Sequence, residues 1–162
     1  MTKIGVKLEV ENKWGQILFK LFQDILLIPS MWVKGSCHHE ILFPEDVEEN
    51  GKTDPHIAML DEAKLLNNQQ MNTYVSYPSY YPILATFSIY FSEQSYIEIR
   101  DVNHFLNSAC DFVVSVVDTS EIYVLSKEES LIDKVVARYQ QYGYSAHEVY
   151  YKENLPHPFP LN

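Results

Sequence analysis

The chain has 162 residues, 46% of them hydrophobic, enough to bury one core of ordinary size without a disulfide or metal staple. Its 22 acids against 12 bases leave a formal charge of −10, which repels phosphates and so excludes DNA, RNA and anionic membranes as natural partners. Basic proteins and cations are the partners that this charge favours.

The first element is a strand: Ile4, Val6, Leu8 and Val10 alternate with polar or small residues. Asn12 then stands as a helix cap, and Trp14, Ile17, Leu18, Leu21, Phe22 and Ile25 follow at helical spacing, with Pro29 as the stop. Met31 to Lys34 and His39 to Phe43 read as short strands joined by a hairpin turn at Gly35-Ser36. Pro44 to Asp54 is polar and acidic and reads as a solvated loop carrying Glu45, Asp46, Glu48 and Glu49.

Asp54-Pro55 starts a helix that runs to about Leu66, where Asn67-Asn68-Gln69-Gln70 dissolves it. Tyr74 to Pro82 holds four tyrosines and two prolines and is a loop or an edge. Strands are expected at Ile83 to Phe91 and Tyr96 to Arg100, and Asp101 caps a short helix through Leu106 to about Ser108. Phe112 to Val117 is apolar on both faces, as in a strand covered on both sides, and Glu121 to Leu125 is its hairpin partner.

Ser126 and Glu129 have the spacing of a capping box, ahead of a helix bearing Leu131, Ile132, Val135, Val136, Tyr139 and Tyr142 on one face. Gly143 ends that helix, and His147 to Lys152 is the last strand. Residues 153–162 are an extended, proline-rich tail. The reading is one α+β domain over residues 1–162, a mostly antiparallel sheet with about three to four helices packed on it. The start of the chain lacks the apolar core of a signal peptide. Apolar stretches such as Ile25 to Ile28 are too short to span a bilayer, so a cytoplasmic protein is expected.

Three stretches resemble an uncharacterised family of small Firmicute proteins, mainly from bacilli. They are Ile4-Gly5-Val6-Lys7-Leu8-Glu9-Val10-Glu11-Asn12-Lys13-Trp14-Gly15, Ser79-Tyr80-Tyr81-Pro82-Ile83, and Phe105-Leu106-Asn107-Ser108-Ala109-Cys110-Asp111 followed by an apolar strand ending in Asp118. The resemblance implies a bacterial cytoplasmic protein with a domain of unknown function. It carries over no activity and no catalytic residue.

Cys37-His38-His39-Glu40 is the one run of metal-type ligands. On a strand His38 and Glu40 share one face and Cys37 and His39 the other, so a site needs a distant third ligand such as His56, His104 or His147. Asp101, His104, Cys110 and Asp111 form a second group, but Cys110 follows a helix and meets its negative end, which works against a thiolate. Both cysteines are expected as free, reduced thiols.

Tyr77, Tyr80 and Tyr81 offer contact area at low entropy cost and are the candidate contact residues. No nucleophile-elbow, phosphate-loop, dinucleotide or zinc-protease motif is present, so no cofactor and no catalytic residue is assigned. The expected function is a non-catalytic domain binding a basic protein, comparable in charge and size to immunity proteins, through Glu45, Asp46, Glu48, Glu49 and the three tyrosines. The alternative is a small enzyme or metal-binding protein using the Cys37–Glu40 strand, with His38, His39 and Glu40 as the candidate metal ligands.

Overall fold

The alternation at Ile4, Val6 and Leu8 forms strand β1, Lys3–Glu9, in a computed structural model that describes residues 1–36, 39–44, 54–155 and 159–161. The acidic stretch with Glu45, Asp46, Glu48 and Glu49 lies outside the described residues, as do Cys37 and His38. In chain order the other strands are β2 (Met31–Lys34), β3 (Glu40–Leu42), β4 (Leu65–Asn67), β5 (Tyr81–Tyr90), β6 (Phe112–Val117), β7 (Glu121–Ser126) and β8 (His147–Tyr151). The helices among the described residues are α1 (Ile17–Leu26), α2 (Pro55–Glu62), α3 (Asn68–Val75), α4 (Val102–Asn107) and α5 (Glu129–Gln141). Five helices thus stand among the described residues, where about three to four were expected.

The strands form one antiparallel sheet in the order β4-β2-β5-β6-β7-β1-β8, with β3 pairing β5 beside this path. As the two-sided apolar pattern required, β6 lies mid-sheet, and Val113 and Val114 are both buried. Asp118 and Thr119 in the β6–β7 hairpin loop have φ of 49° and 64°, a left-handed conformation that is uncommon for a β-branched residue such as Thr119. Gly5 is fixed by close approach: a Cβ there would sit 2.6 Å from Val124 O.

Odd and even positions of the strands serve two cores. Val6, Leu8, Trp32, Phe87, Val114 and Val124 face α1, α2, α3 and α5. Val33, Tyr90, Val113, Tyr123 and Leu125 face the other way, toward Ile99, Phe105 of α4 and Phe159 of the tail. The result is one α+β domain with α1, α2, α3 and α5 on one side of the sheet and α4 with irregular chain on the other.

Several local expectations give way to longer-range pairing. Residues 12–16 do not join the first helix, and Trp14 is 39% exposed. Gly15 and Tyr80 exchange backbone hydrogen bonds of 3.2 and 3.0 Å, which holds this stretch extended. β2 and β3 do not form a hairpin with each other; each pairs β5, at residues 87–90 and 81–84 respectively. The second helix stops at Glu62, and Leu65 to Asn67 join the sheet beside β2. Asn67 begins α3 instead of dissolving a helix: its side chain accepts the Gln70 N–H at 2.8 Å while Gln70 accepts the Asn67 N–H at 2.9 Å. Tyr74 is accordingly helical, and Tyr81 and Pro82 open β5.

Tyr96 to Arg100 is not a strand; it is tied over the sheet by Ile99 N–H donating to Ser88 Oγ at 3.0 Å and Tyr90 Oη donating to Ile97 O at 2.5 Å. The capping box at Ser126 is also not formed. Glu128 holds the cap position of α5, and the Glu129 carboxylate instead accepts the Lys3 backbone N–H at 3.0 Å. The Asp54 and Asp101 caps form as their sequences indicate, accepting from His56 at 2.8 Å and His104 at 2.8 Å. No helix among the described residues is long and apolar enough to cross a membrane.

Candidate functional site

Period-two geometry places Lys34 on the same face of β2 as Trp32, under the helices. Its side chain is 4% exposed, with Nζ donating to Leu60 O at 2.5 Å and Asp61 O at 2.7 Å, the last-turn carbonyls of α2. The same Nζ lies 4.5 Å from the centre of the Tyr74 ring. Burial lowers the Lys34 ammonium to about 8, against the opposing charge of Asp61. A lysine at the close of a strand gave no sequence signal beyond its parity with Trp32.

Asp61 and His39 complete this cluster. Tyr74 Oη donates to Asp61 Oδ1 at 2.5 Å, and His39 Nε2 lies 3.4 Å from Tyr74 Oη and 3.9 Å from Asp61 Oδ1. Burial pushes the Asp61 carboxyl up, but the His39 and Tyr74 hydrogen bonds and the Lys34 charge together hold it below its usual range. Burial and the Asp61 charge push the Tyr74 phenol well above its usual range. His39 Nδ1 is buried without a hydrogen-bond partner among the described residues. The cluster pins α2 to the sheet: a desolvated cation takes the helix C-terminal carbonyls, where the helix dipole favours positive charge.

The remaining ligand-type residues lie on separate elements. Glu40 is exposed on β3, His56 opens α2, and His147 sits on β8 with its ring edge against Tyr139. His104 Nδ1 accepts the Arg100 N–H at 3.3 Å. Among the described residues no three His, Cys, Asp or Glu side chains are grouped to hold a metal ion. Cys110 is buried, with Sγ 3.4 Å from both Ile89 O and Phe112 O, and burial pushes its thiol up to about 11.

The tyrosine–proline segment is not an open contact surface. Tyr80 is 1% exposed, which corrects its reading as an exposed contact. Tyr77 is half-buried with its ring edge on Phe43 at 5.2 Å, and Tyr81 is half-buried 5.5 Å from Trp14. The segment carries chain-to-chain packing within the domain, because α3 ends at Val75 and β5 begins at Tyr81, leaving little free loop.

An acidic surface lies elsewhere, on the face of β7, β1 and β8 turned away from α1, α2, α3 and α5. Register places Lys7 opposite both Tyr123 and Glu148, and Glu9 opposite Glu121. Lys7 Nζ is 3.3 Å from Glu121 and 3.7 Å from Glu9, so three glutamates surround one lysine and leave a local charge of −2. Burial works against the Lys7 charge, yet Glu121 and Glu9 raise it above its usual range. Tyr123 Oη donates to Glu121 at 3.0 Å and Tyr150 Oη to Glu148 at 3.5 Å. Burial first, and the adjoining carboxylates second, push both phenols up to about 12. Sequence reasoning missed this surface because its acids are scattered along the chain and meet only through sheet register.

Residues 3–158 match the family model described as Protein of unknown function (DUF2691), and the chain belongs to that family. No curated protein and no solved structure matches the chain.

Proposed function

We propose that this protein is a non-catalytic binding domain of the bacterial cytoplasm that engages a basic partner protein, much as an immunity protein engages a toxin. The observation that carries this reading is the cluster of Glu9, Glu121 and Glu148 on three adjacent strands, around Lys7, on the sheet face opposite α1, α2, α3 and α5. Glu9 and Glu148 are exposed, so their charges act on an approaching partner. A negative patch on a flat face steers a basic surface into register and rejects acidic competitors. Glu45, Asp46, Glu48 and Glu49, outside the described residues, carry charge of the same sign. The Lys34 cluster has a structural role in this reading, its cation held by the Leu60 and Asp61 carbonyls of α2.

The test is capture from native cytosol at low salt, followed by association kinetics with the captured protein. A basic partner whose association slows with added salt, and slows further with Glu9→Gln plus Glu148→Gln, supports the reading. Capture that is insensitive to both refutes it.

A second reading rests on His39, whose buried Nδ1 lacks a partner among the described residues while its other nitrogen faces Tyr74 and Asp61. It makes the protein a small enzyme or metal-binding protein using the Cys37–Glu40 run. Stoichiometric metal in the purified protein, lost in His39→Ala, would favour it.

A further inference from the structure

Trp14 and Tyr142 come from opposite ends of the chain, are the exposed aromatics among the large hydrophobic side chains at 39% and 38%, and line the same cavity. Exposed aromatic rings that converge on a concavity mark a binding site more often than isolated exposed ones do. The cavity has a volume of about 80 Å³ and opens to solvent, so it is a shallow cleft that a flat guest covers rather than enters. Its walls are set by contacts within the fold. Trp14 leans on Tyr81 with ring centres 5.5 Å apart, and Tyr144, which also lines it, is stacked on Tyr139 at 5.1 Å.

The charged groups at the rim are Glu11, Lys13 and Lys20, a local +1 in a chain of −10. Lys13 and Glu11 are paired at 2.9 Å. Lys20 has no carboxylate within ion-pair distance among the described residues; its Nζ rests 5.4 Å from the centre of the Tyr142 ring. That position argues against a cationic guest, which would meet Lys20 on the ring face it needs. It suits a guest that is flat, aromatic and negatively charged.

We infer that this cavity binds a small planar aromatic anion, an aryl carboxylate or aryl phosphate, with its ring against Trp14 and Tyr142 and its charge on Lys20. The site is independent of the acidic sheet face and makes no use of a partner protein.

Indole-3-carboxylate is a suitable probe, followed through the indole N–H resonances of the ¹⁵N-labelled protein. Trp14 should shift saturably, while the buried Trp32, whose Nε1 donates to Ser30 Oγ at 3.0 Å, should stay in place. Lys20→Met and Tyr142→Leu should each weaken binding at least tenfold with unchanged circular dichroism. Uncharged indole-3-methanol and non-aromatic cyclohexanecarboxylate should each bind at least tenfold more weakly than the probe, and 4-nitrophenyl phosphate should compete with it. The inference fails if no saturable Trp14 shift appears, if Trp32 moves equally, or if Lys20→Met leaves the affinity unchanged. Should Lys20→Met prove unfolded, Lys20→Gln carries the same test, with the same outcomes.

Discussion

The Tyr80 hydroxyl accepts the Phe19 backbone N–H at 3.3 Å, so a tyrosine 61 positions along the chain serves as the missing cap of α1. The same hydroxyl donates to Val75 O at 2.7 Å at the end of α3, and the Gln16 amide donates to Ser76 O at 2.8 Å beside it. One buried phenol therefore joins the start of one helix to the end of another. Burial keeps it far above the usual phenol range, so it remains a donor at every working pH.

Tyr80→Phe removes both hydrogen bonds and leaves a buried N–H and carbonyl unmatched. The expected loss is about 1–3 kcal/mol of unfolding free energy by urea titration. Tyr80→Ala adds a cavity and should cost about 3–5 kcal/mol. A Tyr80→Phe variant as stable as the parent would show that the hydroxyl caps nothing.

Lys34 carries a pH signature of defined sign. Its folded pKa of about 8 lies below the 10.5 of an unfolded lysine, so burial of the charge costs stability at neutral pH. Between about pH 8 and 10.5 the native state releases a proton that the unfolded state keeps, and stability should rise across that window. The rise is at most about 3 kcal/mol. Lys34→Met should show no such rise, and denaturant melts at pH 7.5, 9 and 10 on the two proteins check it.

Asp24 gives the opposite dependence. Arg138 grips it through Nε at 3.0 Å and Nη2 at 3.2 Å, and this hydrogen-bonded pairing outweighs burial and lowers the Asp24 carboxyl below 3.8. A lowered acid contributes stability above its unfolded pKa and loses it as pH falls through the folded value. Arg138→Met should therefore lower the melting temperature at pH 7. The gap to the parent should close as the pH falls from 3.8 through the lower folded value, once Asp24 is protonated in both states.

Leu18 and Leu131 are 2% and 3% exposed in the helix-side core. Leu18→Ala or Leu131→Ala should cost about 2–5 kcal/mol, the range set by how far the cavity relaxes. On the other side of the sheet Cys110 should resist alkylation by iodoacetamide at pH 8 in a Cys37→Ser background, since burial holds its thiol near 11. Rapid native-state labelling would contradict the burial of its sulfur.

What the sequence determined by itself is what depends on neighbours a few residues apart. Side-chain parity marked β1 and β5, a run apolar on both faces marked β6, helical spacing marked the bodies of α1 and α5, and side-chain caps at Asp54 and Asp101 marked α2 and α4. Each of these follows from geometry internal to one segment. Tertiary structure decided what depends on a distant partner. Trp14 left the core because Gly15 bonds to Tyr80, β2 and β3 parted because β5 offers both a longer ladder than they offer each other, and Glu129 abandoned a cap for the Lys3 backbone. The acidic face of Glu9, Glu121 and Glu148 and the Lys34–Asp61–Tyr74 cluster exist only through register and packing, which no local spacing encodes.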